Sequence, residues 1–127
     1  MRVRCGTDIV EIGRIKRSLA SNARFADKVF TGDEIKYCES KNAGRHASYA
    51  ARFAAKEAFL KALGVGMFAG AALTEIEVAI DAESGAPSLR LYGGAAEIYK
   101  MKGGASLTVS LSHTSQTALA TVVILCE

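Results

Sequence analysis

The sequence has no tryptophan, a single proline and only three cysteines among its 127 residues. Cys5, Cys38 and Cys126 are widely spaced and form no C-x-x-C or Cys/His cluster, so neither a disulfide framework nor a zinc site is predicted. We expect these thiols to lie in the core or on the surface without a special role. Few aromatic residues and a net charge of only +3 give little support for a nucleic-acid partner.

The chain also lacks an apolar run long enough to cross a bilayer. Its first residues, MRVRCGTDIVEI, are too charged, and too short in their apolar part, for a secretory signal. Half of the residues are apolar and 23% are charged, which is ordinary for a globular protein. We therefore expect one cytoplasmic domain over residues 1–127, bound neither to a membrane nor to nucleic acid.

The first half of the chain predicts mainly helices. A strand over 2–10 comes first, and its Gly6 predicts the close approach of another backbone. A helical region over 11–28 is broken at residues 21–22, and Thr31 with Glu34 predicts a capping box for a helix over 32–40. A loop over 41–45 then precedes a long, alanine-rich helix over 46–63.

The second half predicts strands. A glycine-rich turn follows the long helix and ends near residue 72, and residues 74–81 then alternate, which is typical of a half-buried strand whose Glu75 and Glu77 face away from the core. The remaining predicted elements are a turn over 82–87, strands over 88–92, 106–113 and 117–126, and a short helix over 93–102. The last strand is almost entirely apolar, which favours a central position. Helices early and antiparallel strands late predict an α+β fold in which an antiparallel sheet packs against the long helix.

Glu57 is the unusual residue of the long helix, because its neighbours on the helical wheel are mostly apolar. A carboxylate in such surroundings is costly unless a cation meets it. Lys61, four residues on, is one candidate, and a metal ion is another. An isolated E-x-x-x-K pattern is usually a weak ion pair on a helix surface.

Two further residues stand out from the core pattern. Asp8 lies inside the first strand, where Asp is disfavoured; it either bonds a nearby backbone amide or serves as a ligand. His113 ends a strand beside a turn, a position at which most histidines are bystanders or caps. Two carboxylates, with waters and phosphate oxygens, suit Mg²⁺. Positive charge for phosphates could come from Arg52, Lys56, Lys61 and His113. Together these residues predict an Mg²⁺-dependent phosphoryl-transfer site, provided that the fold brings them together.

Four segments carry a resemblance to a known family. They are G-T-D-I-V-E-I-x-R-I at 6–15, F-T-x-x-E at 30–34, R-F-A-A-K-E-A-F-x-K-A-L-G at 52–64, and L-S-H-T at 111–114. In this order they resemble the holo-acyl-carrier-protein synthases, the short bacterial class of 4′-phosphopantetheinyl transferases. The resemblance spans almost the whole chain and implies the fold of that family.

The resemblance implies a reaction and a site. Such enzymes transfer the phosphopantetheine arm of coenzyme A to a serine of apo acyl carrier protein for fatty acid biosynthesis, and release adenosine 3′,5′-bisphosphate. Asp8 and Glu57 match the family's Mg²⁺-binding acids, and Lys61 matches a catalytic lysine near the phosphates. The serine proton would go to Glu57 or to a metal-bound water. Positions that line the coenzyme A site are matched by Arg52, Lys61, Gly64 and His113.

The resemblance also implies partners. Arg14 matches a basic position that meets the acidic helix of the carrier protein, and the charge pattern adds Arg17 and Arg24 to this docking face. Family members are homotrimers with active sites between subunits.

Two rival interpretations of the sequence remain. A small Mg²⁺-dependent phosphatase or nucleotide hydrolase would leave the basic residues near Arg14 unexplained. A non-enzymatic basic binding module would leave Asp8 and Glu57 unexplained.

Overall fold

The computed structural model describes residues 1–66 and 70–127. Five α-helices and five β-strands form the fold within these ranges. They are β1 (Arg2–Glu11), α1 (Ile12–Ser21), α2 (Phe25–Val29), α3 (Gly32–Glu39), α4 (Arg45–Leu63), β2 (Ile76–Ile80), β3 (Pro87–Leu91), α5 (Gly93–Met101), β4 (Gly104–His113) and β5 (Thr117–Cys126). The predicted elements are confirmed to within about two residues at most ends. Single 3₁₀ turns at Asn42–Gly44 and Leu73–Glu75 precede α4 and β2.

The main sheet has the antiparallel order β1-β5-β4. Every second residue of β5 is buried, from Ala118 to Cys126, and this face packs against α4. The predicted central position of the last strand is confirmed. The residues on the opposite face of β5 are only partly buried.

The strands β2 and β3 form a separate two-stranded antiparallel sheet rather than part of one large sheet. The strand β2 begins at Ile76, two residues later than predicted, because Leu73–Glu75 form the 3₁₀ turn. The Glu75 carboxylate accepts a hydrogen bond of 2.9 Å from the Ala72 amide and so closes that turn.

The predicted outward orientation of Glu77 is wrong. Its side chain is buried, and its carboxylate accepts hydrogen bonds from the Thr31 hydroxyl at 2.6 Å and the Tyr92 hydroxyl at 3.2 Å. Thr31 also caps α3 by accepting the Glu34 amide at 3.2 Å, while Glu34 Oε1 accepts the Thr31 amide at 2.9 Å. The predicted capping box is confirmed, and it is tied to the small sheet through Glu77.

The helix α4 lies unusually close to β1. Its alanines Ala54, Ala55 and Ala58 are fully buried. A Cβ atom on Gly6 would overlap the backbone oxygen of Ala58, so only glycine allows this contact. The close approach predicted at Gly6 is confirmed, and it brings the middle of β1 against the second half of the long helix.

Among the residues that the structure describes, no helix is both long enough and apolar enough to cross a membrane.

Candidate active site

An acidic pair lies where β1 crosses α4. Asp8 pairs in the sheet with the buried Ala120, so its side chain is on the face that α4 covers. Lys61 Nζ of α4 is 3.1 Å from Asp8 Oδ1 and donates to the Thr7 carbonyl, also at 3.1 Å. Within residues 1–66 and 70–127, no ion pair joins Lys61 to Glu57. Of the two partners considered for Glu57, Lys61 is thus paired with Asp8 instead, because its side chain reaches across to the strand.

Glu57 lies one helical turn before Lys61, and the negative charge of Asp8 acts on its carboxyl group. Partial burial raises the pKa of the Glu57 carboxyl, and the negative charge of Asp8 raises it further. The positive charges of Lys61 and Arg14 oppose both effects. The charge of Asp8 is thus close enough to disfavour ionisation of Glu57, and the positive charges of Lys61 and Arg14 act on the same carboxyl.

This donor set fits a magnesium ion. Mg²⁺ is usually bound through one or two carboxylates, and waters or substrate phosphates complete its coordination. A divalent cation between Asp8 and Glu57 would also relieve the repulsion that raises the Glu57 pKa. In the described part of the chain, no cluster of three or more His, Cys, Asp or Glu side chains exists, so the protein alone offers a two-carboxylate site.

The helix α4 ends beside this acidic pair. Gly64 adopts a left-handed conformation with φ of 71°, which favours glycine, and its amide donates to the Lys61 carbonyl at 3.0 Å. Among the described residues, no other atom lies within 4 Å of the position that a Cβ on Gly64 would take, so this part of the chain leaves the helix end open on that side. The glycine-rich turn predicted after Gly64 includes residues 67–69, which lie outside the described residues.

A second group of candidate residues surrounds a cavity of about 350 Å³. Arg52 of α4, His113 at the end of β4 and Lys41 all line it. Its lining within the described ranges contains no Asp or Glu side chain. His113 Nδ1 is 3.1 Å from the Thr114 carbonyl oxygen, and the imidazole also borders a neighbouring cavity of about 830 Å³. The cavity walls are thus cationic and suited to an anion.

The two groups do not meet in one chain. Arg52 and Glu57 are five residues apart on α4, which places them about 140° apart around the helix axis. Asp8 and His113 lie on the two outer strands of the sheet, with β5 between them. Neither Asp8 nor Glu57 lines the cavity beside Arg52.

Lys56 does not belong to either group, contrary to the expectation that it serves phosphates. Its ammonium group is fully buried and bonds Glu34 Oε1 at 2.8 Å, the Leu73 carbonyl at 2.9 Å and the Ile76 carbonyl at 2.6 Å. Burial lowers its pKa, and the charge and hydrogen bond of Glu34 oppose that effect. With its three donor positions satisfied inside the core, Lys56 is a structural residue.

Comparison with known proteins shows the family of this chain. The family model of the 4′-phosphopantetheinyl transferase superfamily matches residues 4–120. The chain belongs to this superfamily. The holo-[acyl-carrier-protein] synthase of Ruminiclostridium cellulolyticum is 51% identical over 125 residues, which are 98% of this chain and 92% of the relative. The predicted family and enzyme class are confirmed.

Solved structures agree with the fold of the transferase. An ACPS–CoA complex from Chronobacterium ammoniagenes has a TM-score of 0.86 at 26% identity, covering 100% of this chain and 99% of that chain. The Helicobacter pylori holo-[acyl-carrier-protein] synthase in complex with coenzyme A has a TM-score of 0.81 at 31% identity, covering 95% and 99%. The predicted α+β fold of this family is confirmed.

Three basic residues predicted for carrier docking lie on the surface of the transferase. Arg14 and Arg17 are exposed on α1, and Arg24 is exposed just before α2. Arg14 comes nearest the acidic pair, since its guanidinium carbon is 5.7 Å from the centre of the Phe53 ring and its charge acts on Glu57. The basic face thus adjoins the acidic pair through Arg14.

Sequence reasoning missed two cavity residues, Tyr37 and Ser48. The Arg52 guanidinium carbon lies 4.3 Å from the centre of the Tyr37 ring, and its Nη1 donates to Ser48 Oγ at 2.8 Å. Neither residue breaks the local helical pattern, so the sequence carries no signal for it. Lys41 also falls in the region predicted as a plain loop.

Proposed function

We propose that this transferase moves the 4′-phosphopantetheine group of coenzyme A to a serine hydroxyl of apo acyl carrier protein. The serine oxygen forms a bond to the β-phosphorus of the pyrophosphate, the bond to the bridging oxygen breaks, and adenosine 3′,5′-bisphosphate leaves. The observation that carries the proposal is the cluster of Asp8, Glu57 and Lys61 beside the open, glycine-terminated end of α4. Such a cluster pairs acids for a cation with a lysine for a phosphate.

The acids have distinct tasks in this proposal. Asp8 and Glu57 would hold Mg²⁺, which when bound supplies positive charge to the pyrophosphate. The serine proton would go to Glu57 or to a water bound to the metal. Because its side chain is 59% exposed, Lys61 can turn from Asp8 to the phosphate on which charge builds.

The cationic cavity serves the nucleotide end of coenzyme A. Arg52, His113 and the newly found Lys41 offer positive charge without a competing carboxylate in the described lining. The open backbone at Gly64 lies one turn from Lys61 and suits close approach of the substrate. Coenzyme A carries anionic groups both at its pyrophosphate and on its ribose, which matches two separate sites for anions.

Assembly would bring the two sites together. We propose a homotrimer in which the acidic pair of one subunit faces the cationic cavity of the next. The outer face of the main sheet supports this, since Val3 and Ile9 are 67% and 63% exposed, and alternate residues of β5 on that face are only partly covered. Covering this apolar face with further copies would stabilise the subunits and complete the site.

The trimer is tested by placing a charge on that face. Val3→Lys should give monomers on a sizing column and lose transfer activity, while circular dichroism still shows the helices. Met101→Lys is the control, because Met101 is also exposed but lies on α5. A Val3→Lys protein that is monomeric, stable and active would contradict the shared site.

The carrier protein would dock on the basic face formed by Arg14, Arg17 and Arg24. Charge reversal at Arg14 or Arg17 should raise the KM for the carrier and leave the KM for coenzyme A nearly unchanged. Added salt should weaken carrier binding for the same reason. Lys100→Glu on α5 is the matched control, and an affinity insensitive to salt would count against this face.

The transfer itself is tested by mass. The protein is incubated with coenzyme A, Mg²⁺ and apo acyl carrier protein, and the intact carrier is weighed. We expect the mass of one phosphopantetheine group to be added, and far less with Asp8→Asn or Glu57→Gln than with the exposed control Glu97→Gln. An unchanged carrier mass would refute the proposal, and release of phosphate from a nucleotide alone would favour a hydrolase.

A cytoplasmic location and a role in fatty acid biosynthesis belong to the same proposal.

A further inference from the structure

The guanidinium of Arg52 is a buried charge without a counterion. Arg52 is only 3% exposed, and Nη1 donates to the Ser48 carbonyl at 3.2 Å and to the Ser48 hydroxyl at 2.8 Å. Its Nε is buried and has no hydrogen-bond partner among the residues that the structure describes. No carboxylate of residues 1–66 or 70–127 lies within ion-pair distance of it. Since a buried, unpaired cation is costly, an anion is the partner that this site lacks.

The ring of Tyr37 holds this guanidinium. The Arg52 Cζ lies 4.3 Å from the ring centre, and Lys41 Nζ lies 4.6 Å from the same ring centre. Both contacts are within the range in which a cation is attracted to an aromatic ring. Tyr37 comes from α3 while Arg52 comes from α4, so the contact fixes the arginine from outside its own helix. Tyr37, Lys41, Ser48 and Arg52 all line the cavity of about 350 Å³.

We infer that Tyr37 is a positioning residue that orients the Arg52 guanidinium toward the ribose phosphate of coenzyme A and thereby sets the preference for substrates that carry this phosphate. This inference rests on the proposed function. The pyrophosphate is assigned to the acidic pair, and the cavity beside Arg52 is lined by neither acid, so the remaining anion of the substrate is the ribose phosphate. A planar guanidinium recognises a phosphate well only when its donors are held at a fixed orientation.

The ring face, and not the hydroxyl, performs this task. No hydrogen bond involves the Tyr37 hydroxyl within the described residues, whereas its ring adjoins both cations. Phenylalanine keeps the ring and leucine removes it, so the two substitutions separate positioning from general packing. Ser48→Ala removes the other side-chain contact that restrains the guanidinium.

The test measures binding and kinetics together. Adenosine 3′,5′-bisphosphate and adenosine 5′-monophosphate are titrated calorimetrically into the wild type, Tyr37→Phe, Tyr37→Leu and Ser48→Ala. In Tyr37→Leu the preference for the bisphosphate should fall by roughly 3- to 30-fold, as expected for losing one partly buried cation–π contact. Tyr37→Phe should retain most of the preference, and Ser48→Ala should change it in the same direction as Tyr37→Leu. In transfer assays, the KM for coenzyme A should rise more than the KM for dephospho-coenzyme A, with kcat changing less than either.

Several results would overturn the inference. An unchanged preference in Tyr37→Leu would do so, and if Tyr37→Leu does not fold, Tyr37→Met, which also lacks the ring, takes its place. An equal loss in Tyr37→Phe and Tyr37→Leu would exclude the ring face as the cause. A wild type that adds phosphopantetheine to the carrier but does not prefer the bisphosphate would refute the inference while leaving the proposed function intact. A carrier of unchanged mass would instead refute the proposed function.

Discussion

Replacing Gly6 by alanine should both destabilise the protein and disturb its acidic pair. The added Cβ would overlap the Ala58 carbonyl oxygen and also crowd the Ala62 amide, and neither is a flexible side chain that can move aside. Overpacking of this kind costs about 1–3 kcal/mol. For a chain of this length, 1 kcal/mol lowers the melting temperature by about 4 °C. We therefore expect Gly6→Ala to melt about 4–12 °C below the wild type in a calorimetric scan.

Gly32→Ala is the matched control for this experiment. Gly32 is the first residue of helix α3, and no atom of residues 1–66 or 70–127 lies within 4 Å of the position that its Cβ would take. Alanine is favoured over glycine in helices, so the melting temperature should stay the same or rise slightly. Gly6→Ala should also lose transfer activity well below its melting temperature, because Asp8 is two residues away on the displaced strand. A Gly6→Ala protein with wild-type stability and activity would show that β1 does not need its close contact with α4.

Three further predictions concern charge. Lys56→Met leaves the Glu34 carboxylate buried and unpaired, and should lower the free energy of unfolding by about 3–5 kcal/mol in urea titrations. The double variant with Glu34→Gln should recover part of that loss, and no recovery would refute the pairing. Millimolar Mg²⁺ should raise the melting temperature of the wild type but not of Asp8→Asn, since one carboxylate is missing; equal shifts would refute metal binding by the pair. Burial and a carboxylate hydrogen bond raise the pKa of Tyr49 above its unfolded value of 10.0, so its contribution to stability is complete below pH 10 and is lost at higher pH. Relative to Tyr49→Phe, the wild type should lose stability as the pH rises from 9 to 11, and a constant difference would contradict this.

Local patterns predicted most of the fold because they depend on neighbouring residues. The alternation of β5, the capping box of Thr31 and Glu34, and the glycine at the end of α4 are each encoded within a few positions. The orientation of Glu77 was wrong for the opposite reason. Its hydrogen-bond donors come from Thr31, which is 46 residues away in sequence, and from Tyr92. Alternation cannot show that a polar residue has distant partners inside the protein.

In the candidate site too, some residues could be singled out from the sequence, whereas their contacts could not. Asp8 and Glu57 could be singled out because a carboxylate is unusual in a strand or among apolar helix neighbours. The partner of Lys61 could not be predicted, because Asp8 is 53 residues away and is brought near only by the packing of β1 on α4. Tyr37 gave no signal, since its contact with the Arg52 guanidinium comes from another helix. Anomalies in a local pattern are visible in sequence, whereas the contacts that resolve them are not.

The two lysines Lys56 and Lys61 of α4 differ in burial, and this difference sets how much it costs to break the ion pair of each. Lys56 and its partner Glu34 are both completely buried, so breaking their bond leaves a charge without solvent and is costly. The Lys61 side chain is 59% exposed, and a pair of this kind is worth only about 0–1 kcal/mol. Lys61 can therefore leave Asp8 at little cost, as the proposed role toward the substrate phosphate requires, whereas moving Lys56 would leave Glu34 buried and unpaired. Both lysines lie close to Glu57 in the sequence, and only their burial in the fold tells them apart.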